Sequence, residues 1–172
     1  MPVWIAAAIA APILLSPTPS GGVGFRGESS GGPVVGKLAT FTASLDLEAG
    51  TGTFEADPAS LTTGLGPRDQ RMWVHTLDVV TFPELRFEVH RIEPASAGEP
   101  SGGALALHGT LLLHGVSAPL VVAATLEREG ERVRLFGEVP LTLAAFGLPD
   151  PSVLLARFGP GVTVTFDLTG AP

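Results

Sequence analysis

The sequence predicts an all-β protein: an antiparallel meander of eight strands that closes into a barrel, interrupted by one short α-helix. Three observations carry this. Apolar and polar residues alternate with period two through most of the chain, as half-buried strands require. Twenty-two glycines and sixteen prolines in 172 residues supply frequent turns. Most connections between alternating segments are short, which suits hairpins between sequential neighbours. Eight strands are enough for a sheet to close and lose its edges. A two-sheet sandwich satisfies the same pattern and stands as the alternative.

Taken in order, the first and weakest strand lies near 22–29, with Val23 and Phe25 facing in. Residues 37–48 set Ala39, Phe41, Ala43, Leu45 and Leu47 against Thr40, Thr42, Ser44, Asp46 and Glu48. A glycine-containing turn leads to 51–57, where Phe54 and Ala56 face in. Leu85, Phe87 and Val89 mark the fourth strand, and Leu105, Leu107, Leu111 and Leu113 the fifth. Leu120, Val122, Ala124 and Leu126 form the sixth. After a turn at Glu129-Gly130, the seventh holds Val133, Leu135, Val139 and Leu141. The last is the clearest: Val162, Val164, Phe166 and Leu168 alternate with Thr163, Thr165, Asp167 and Thr169. The stretch PASAGEPSGG, 94–103, reads as a hairpin loop.

Between the third and fourth strands the pattern changes. Pro67 suits a first helical turn, and Asp69 suits the neighbourhood of a helix N-terminus. Met72, Trp73, Leu77 and Val80 then share a face at helical spacing, and Phe82-Pro83 ends the element, predicting a helix over 67–80. The Arg68, Asp69 and Arg71 cluster reads as a salt-bridge and capping network at the helix entrance; alternatively, an arginine meets a ligand's polar head group. His75 and Asp78 are spaced to pair at i, i+3. No nucleophile accompanies them, so no catalytic residue is assigned. No spacing marks a metal site, and no cofactor is expected; His108 and His114, six apart on one strand, would lie about 20 Å from each other.

A chain of this length makes one domain with its own core. A 45% hydrophobic share with 16% charged residues excludes disorder, and a net charge of −7 argues against a nucleic-acid partner. Residues 1–20 carry an apolar run from Val3 to Leu15, about 13 residues, the length of a signal-peptide core and short for a membrane span. They read as a signal peptide or an N-terminal anchor, and 21–172 as the barrel domain. Location is therefore expected to be periplasmic or secreted, or membrane-anchored if the segment stays. The absence of cysteine leaves the compartment open.

The inward faces assigned above contain no Asp, Glu, Lys or Arg. They allow two interiors: a core filled by its own side chains, or an elongated cavity for an apolar guest. Ala39, Ala43, Ala56, Gly109, Ala124 and Gly137 leave room on the inward side, which narrows the gap between the two without deciding it.

Four stretches, SLTTGLGPRDQRM, TLDVVTFPELRFEV, GTLLLHGVSAPLVV and FGLPDPSVLLARFGPGVTVTFDL, resemble in order and spacing the YceI-like lipid- and polyisoprenoid-binding family. The resemblance covers roughly 23–170. It implies an extended, lipocalin-like eight-stranded antiparallel barrel that holds a long isoprenoid chain, with no catalytic residues to carry over. The family's aromatic-plus-Asp opening strand has no counterpart in GGVGFRGESSGGPVVG, so a trimmed barrel start or a more open mouth is expected. Tyrosine is also absent.

The expected ligand contacts are Phe25, Phe41, Phe54, Met72, Trp73, Leu77, Phe82, Phe87, Leu107, Leu111, Leu113, Val122, Leu135 and Phe166. The expected partner is a long-chain apolar lipid such as a polyprenyl compound; homodimerisation and contact with a membrane surface for ligand exchange are further partner expectations. The rival reading is a dry-core barrel that serves as a structural, protein-interaction or stress-related module.

Overall fold

The structure, a computed structural model, describes residues 11–94, 102–153 and 156–172. Eleven strands lie in one sheet: β1 (Ile13–Pro17), β2 (Val23–Ser29), β3 (Gly32–Leu38), β4 (Phe41–Asp46), β5 (Thr51–Ala56), β6 (Leu61–Thr62), β7 (Leu85–Glu93), β8 (Gly103–Leu113), β9 (Val116–Glu129), β10 (Arg132–Thr142) and β11 (Phe158–Ala171). All pairings are antiparallel. The order β1-β4-β5-β7-β8-β9-β10-β11 returns to β1, so eight strands form a closed ring and the sandwich alternative is excluded.

The three extra strands are continuations. β11 pairs through Leu168–Ala171 with β1 and through Phe158–Phe166 with β2, so β1 and β2 run as one strand broken at 18–22. β3 with β4, and β5 with β6, are likewise single strands broken once. Counted this way, the fold is the expected eight-stranded meander.

The break at Ala39–Thr40 has a consequence for the core. The chain is not extended through the break, and the alternation resumes one residue out of phase, so the inward face passes from even-numbered to odd-numbered positions. Val34 and Leu38 are buried on one side of it and Ala43 and Leu45 on the other, while Ala39, expected inward, is exposed. Ser60 spans the break: its carbonyl accepts from Ala39 N at 3.2 Å and its hydroxyl from Thr40 N at 3.0 Å.

β1 lies within the 1–20 segment. Ile13 and Leu15 are 6% and 7% exposed in the barrel wall, between β4 and β11, while Leu14 points outward. The barrel's start is therefore not trimmed: Ile13–Pro17 supplies the strand that the sequence lacked after residue 21.

The barrel has a filled end and a hollow end. At the end bearing the β4–β5 and β9–β10 turns, Ile13, Leu45, Ile92, Leu105, Leu126, Val133 and Leu168 pack together, Leu126 and Val133 at 1% exposure. At the other end a second cluster joins Leu77, Leu111, Leu113, Phe146 and Leu148. It packs Leu77 of segment 63–84 and Phe146 and Leu148 of segment 143–153 on the ends of β8 and β10. The hairpin between β8 and β9 turns on His114 and Gly115, both with positive φ (53° and 71°), the geometry of a tight two-residue turn.

Candidate functional site

The segment after β6 begins with a helix, α1 (Gly66–Arg71), continued by a wider π-type turn over Met72–Thr76. It is shorter than the expected 67–80. Leu77 N bonds to Met72 O at 2.8 Å and Val79 N to Trp73 O at 3.0 Å, and Asp78 turns left-handed at φ 45°. Val74 and Thr76, β-branched and weak helix formers, lie in the widened turn. The apolar stripe ends with it: Leu77 is buried, but Val80, expected on the stripe, is 91% exposed. His75 and Asp78 make no hydrogen bond to each other; Asp78 instead accepts from Thr81 N at 3.3 Å.

The charged cluster anchors this segment to β6. Asp69 is 4% exposed, and its carboxylate accepts from Thr62 Oγ1 at 2.5 Å, Thr63 Oγ1 at 2.5 Å and Thr63 N at 2.8 Å. Burial pushes its pKa up, but the bonds from Thr62 and Thr63 and the charge of Arg68 outweigh this and hold it below the ordinary aspartate value. Arg68 donates to Thr63 Oγ1 at 2.8 Å and Thr63 O at 3.2 Å. The expected salt-bridge and capping network is thus a threonine-centred one. Among the described residues, no ion pair joins Asp69 to Arg68 or Arg71, and no side chain caps the helix. Trp73 adds a second tie, donating from Nε1 to Leu61 O at 2.7 Å.

Below this segment lies an apolar cavity of about 730 Å³, within the range of small-molecule sites. Its walls are Leu, Val and Phe side chains of β2, β5, β7, β8, β9, β10 and β11. Its deep end reaches Leu15, Leu45 and Leu168 on the filled floor. At the other end it opens between the β2–β3 turn (Gly31, Gly32), α1 (Pro67, Arg68, Arg71) and residues 151–153 (Pro151, Val153).

Eleven of the fourteen expected contacts line this cavity: Phe25, Phe54, Phe87, Leu107, Leu111, Leu113, Val122, Leu135 and Phe166 from the strands, Met72 and Leu77 from the helical segment. Three do not. Phe41 stacks on Phe54 with ring centroids 5.5 Å apart and backs the wall. Trp73 is turned toward Leu61. Phe82 lies on the β8–β9 turn, its ring 4.3 Å from that of His114. His114 Nδ1 in turn lies 3.2 Å from Phe146 O. Val23, Leu141, Val162, Val164 and Phe158 also line the cavity, although they were not among the expected contacts. Four of these sit on strands already recognised by alternation, so the signal was present. Phe158 sits at a register shift, where alternation carries no information.

The room expected at inward glycines is occupied. A Cβ on Gly137 would come within 2.6 Å of Ala123 O and 2.9 Å of the Phe166 ring, and Phe166 is its cross-strand partner. Phe25 covers Gly36, its own partner, in the same way, and Phe87 covers Gly109. The glycines therefore seat three phenylalanine rings against the wall, and these same rings line the cavity. Among the described residues, no group of three or more His, Asp or Glu side chains could hold a metal ion.

The YceI-like domain model matches residues 20–170. The chain belongs to the YceI-like family. Its curated relatives include UPF0312 proteins of Pseudomonas savastanoi pv. phaseolicola and Pseudomonas syringae pv. tomato. Each is 33% identical over 111 residues, 60% of this chain, and the match spans 55% of each relative's length. Among solved structures, a polyisoprenoid binding domain from Saccharophagus degradans superposes with a TM-score of 0.76 at 20% identity, covering 93% of this chain and 98% of that one. BcnA of Burkholderia cenocepacia gives 0.75 at 20% identity over 86% and 94%. A YceI protein of Campylobacter jejuni gives 0.67 at 14% identity over 81% and 85%. These likenesses establish that the extended barrel is the fold of the YceI-like family.

Proposed function

We propose that this protein binds a long apolar chain of the polyisoprenoid kind inside the barrel and shields it from water, without acting chemically on it. The observation that carries this reading is the 730 Å³ apolar cavity above a filled floor, open at one end. Burial alone supplies affinity there: each sequestered CH₂ is worth about 0.8 kcal/mol, so a chain of isoprene units needs few polar contacts. The polyisoprenoid binding domain from Saccharophagus degradans, which shares the fold, supports the choice of ligand class.

Export belongs to the same proposal. Its support is the apolar N-terminal run, and the part of that run available for targeting is limited by β1. A cleavage that leaves the barrel closed falls before Ile13. Contact with a membrane during ligand exchange is supported by Leu65, Val74 and Val80, exposed at 55%, 50% and 91% on the segment at the open end.

The test is to purify the chain under gentle conditions, examine it by native mass spectrometry and extract it with organic solvent. A copurifying apolar lipid, or stoichiometric uptake of an added polyprenyl compound, is the expected result. Protein that carries none and takes up none removes the proposal.

A further inference from the structure

The cavity is apolar along its length, yet two charges face it, and both are positive. Among the described residues that line it, Arg68 and Arg71 are the only charged ones, and no Asp or Glu joins them. Composition does not explain this, since the chain holds 17 acidic residues against 10 basic ones. Both arginines come from α1, at the open end.

Their states differ. Arg68 is half-buried and held in place by Thr63, which takes bonds from its Nε and one terminal nitrogen; the other terminal nitrogen has no partner among the described residues. The nearby carboxylate of Asp69 is already engaged by three donors from Thr62 and Thr63. Arg71 is exposed, and its guanidinium has neither a hydrogen bond nor an ion-pair partner among the described residues. Guanidinium groups recognise phosphate and carboxylate oxygens through paired N–H donors, and a donor already fixed in position loses less freedom on binding.

Resting on the proposed apolar-chain binding, the geometry points to a ligand with an anionic head group, a phosphate or a carboxylate, held at the mouth by Arg71 and Arg68 while its tail fills the barrel. The acidic groups near that mouth are each engaged: Asp69 accepts from the threonines, Glu28 is paired with Arg26 at 3.0 Å, and Asp150, beside Pro151, accepts from Ser152 N at 2.8 Å.

The experiment titrates the full chain with geranylgeranyl phosphate, geranylgeraniol and palmitate, following tryptophan fluorescence, in wild type, Arg71→Gln and Arg71→Lys. In wild type the phosphate is expected to bind about tenfold or more tighter than the alcohol, whose tail is identical. Arg71→Gln is expected to shrink that gap several-fold, weakening the phosphate more than the alcohol; Arg71→Lys, which keeps the charge, keeps most of it. Tight palmitate binding that is lost in Arg71→Gln makes any anion sufficient, whereas weak palmitate binding beside tight phosphate binding makes the site one for phosphate. Equal affinity for phosphate and alcohol in wild type, or equal loss of both in Arg71→Gln, overturns the head-group assignment and leaves the apolar-chain reading standing. Binding of none of the three probes removes both.

Discussion

Among the described residues Asp69 is the buried charge, and its three donors come from Thr62, the last residue of β6, and Thr63, which follows it. Because its folded pKa lies below that of an unfolded aspartate, about 3.9, its stabilisation is complete above that value. It is lost as pH falls through the folded pKa. Asp69→Asn is therefore expected to cost on the order of 2 kcal/mol at neutral pH. Its stability should also fall less than that of wild type between pH 5 and the acid limit, as urea denaturation at several pH values will show. The seating of phenylalanine rings on glycines is a second property of single residues. Gly137→Ala puts a methyl group against both the Ala123 carbonyl and the Phe166 ring. A loss of about 1–3 kcal/mol by overpacking is expected in thermal or chemical denaturation. If the space beside Gly137 were free, the substitution would be neutral. Alternation in the sequence placed Gly137 on the inward face, but it could not say that a cross-strand ring already filled the space, because its partner Phe166 lies 29 residues further along the chain.

At the scale of elements, β1 decides whether the barrel is closed. Without it β4 and β11 would each present an unpaired edge, and Ile13 and Leu15 would leave the core. A chain beginning at Gly21 is expected to be less stable than one beginning at Ala11 by about 3 kcal/mol or more, from the burial of those two side chains alone. Hydrogen exchange should locate the loss at β4 and the end of β11. Equal stability of the two chains would show that β1 contributes nothing to closure. The segment 11–20 was legible as apolar but not as a strand. A short apolar run carries no strand signal of its own, and the pairing of Ile13–Pro17 on both sides is a property of the fold. The helical segment was legible in type but not in extent. Proline and the charged cluster mark its start, while the π-type turn that ends it is set by packing of Met72 and Leu77 on the second core cluster.

For the whole molecule, the choice between a filled and a hollow barrel resolves by depth: filled toward the β9–β10 turn, hollow toward α1. Leu111→Trp tests the hollow part. Leu111 is 6% exposed to solvent and lines the cavity, so the indole has room to enter it. The expected outcome is a folded protein with near-normal denaturation midpoint that no longer takes up lipid; a large loss of stability would instead mean that the space is closed in solution.

What the sequence by itself determined is the number of long strands, their inward faces and the position of the single helical interruption. These follow from local chemistry: alternation, turn residues and helix signals act over a few residues. Tertiary structure alone decided that Ile13–Pro17 closes the ring and that the strand break at Ala39–Thr40 switches faces. It alone decided that rings cover the inward glycines, and that Arg68 and Arg71 stand at the cavity mouth while Asp69 is turned away. Each of these depends on which distant segments become neighbours. That is set by closure of the whole sheet, whose pairings no local pattern encodes.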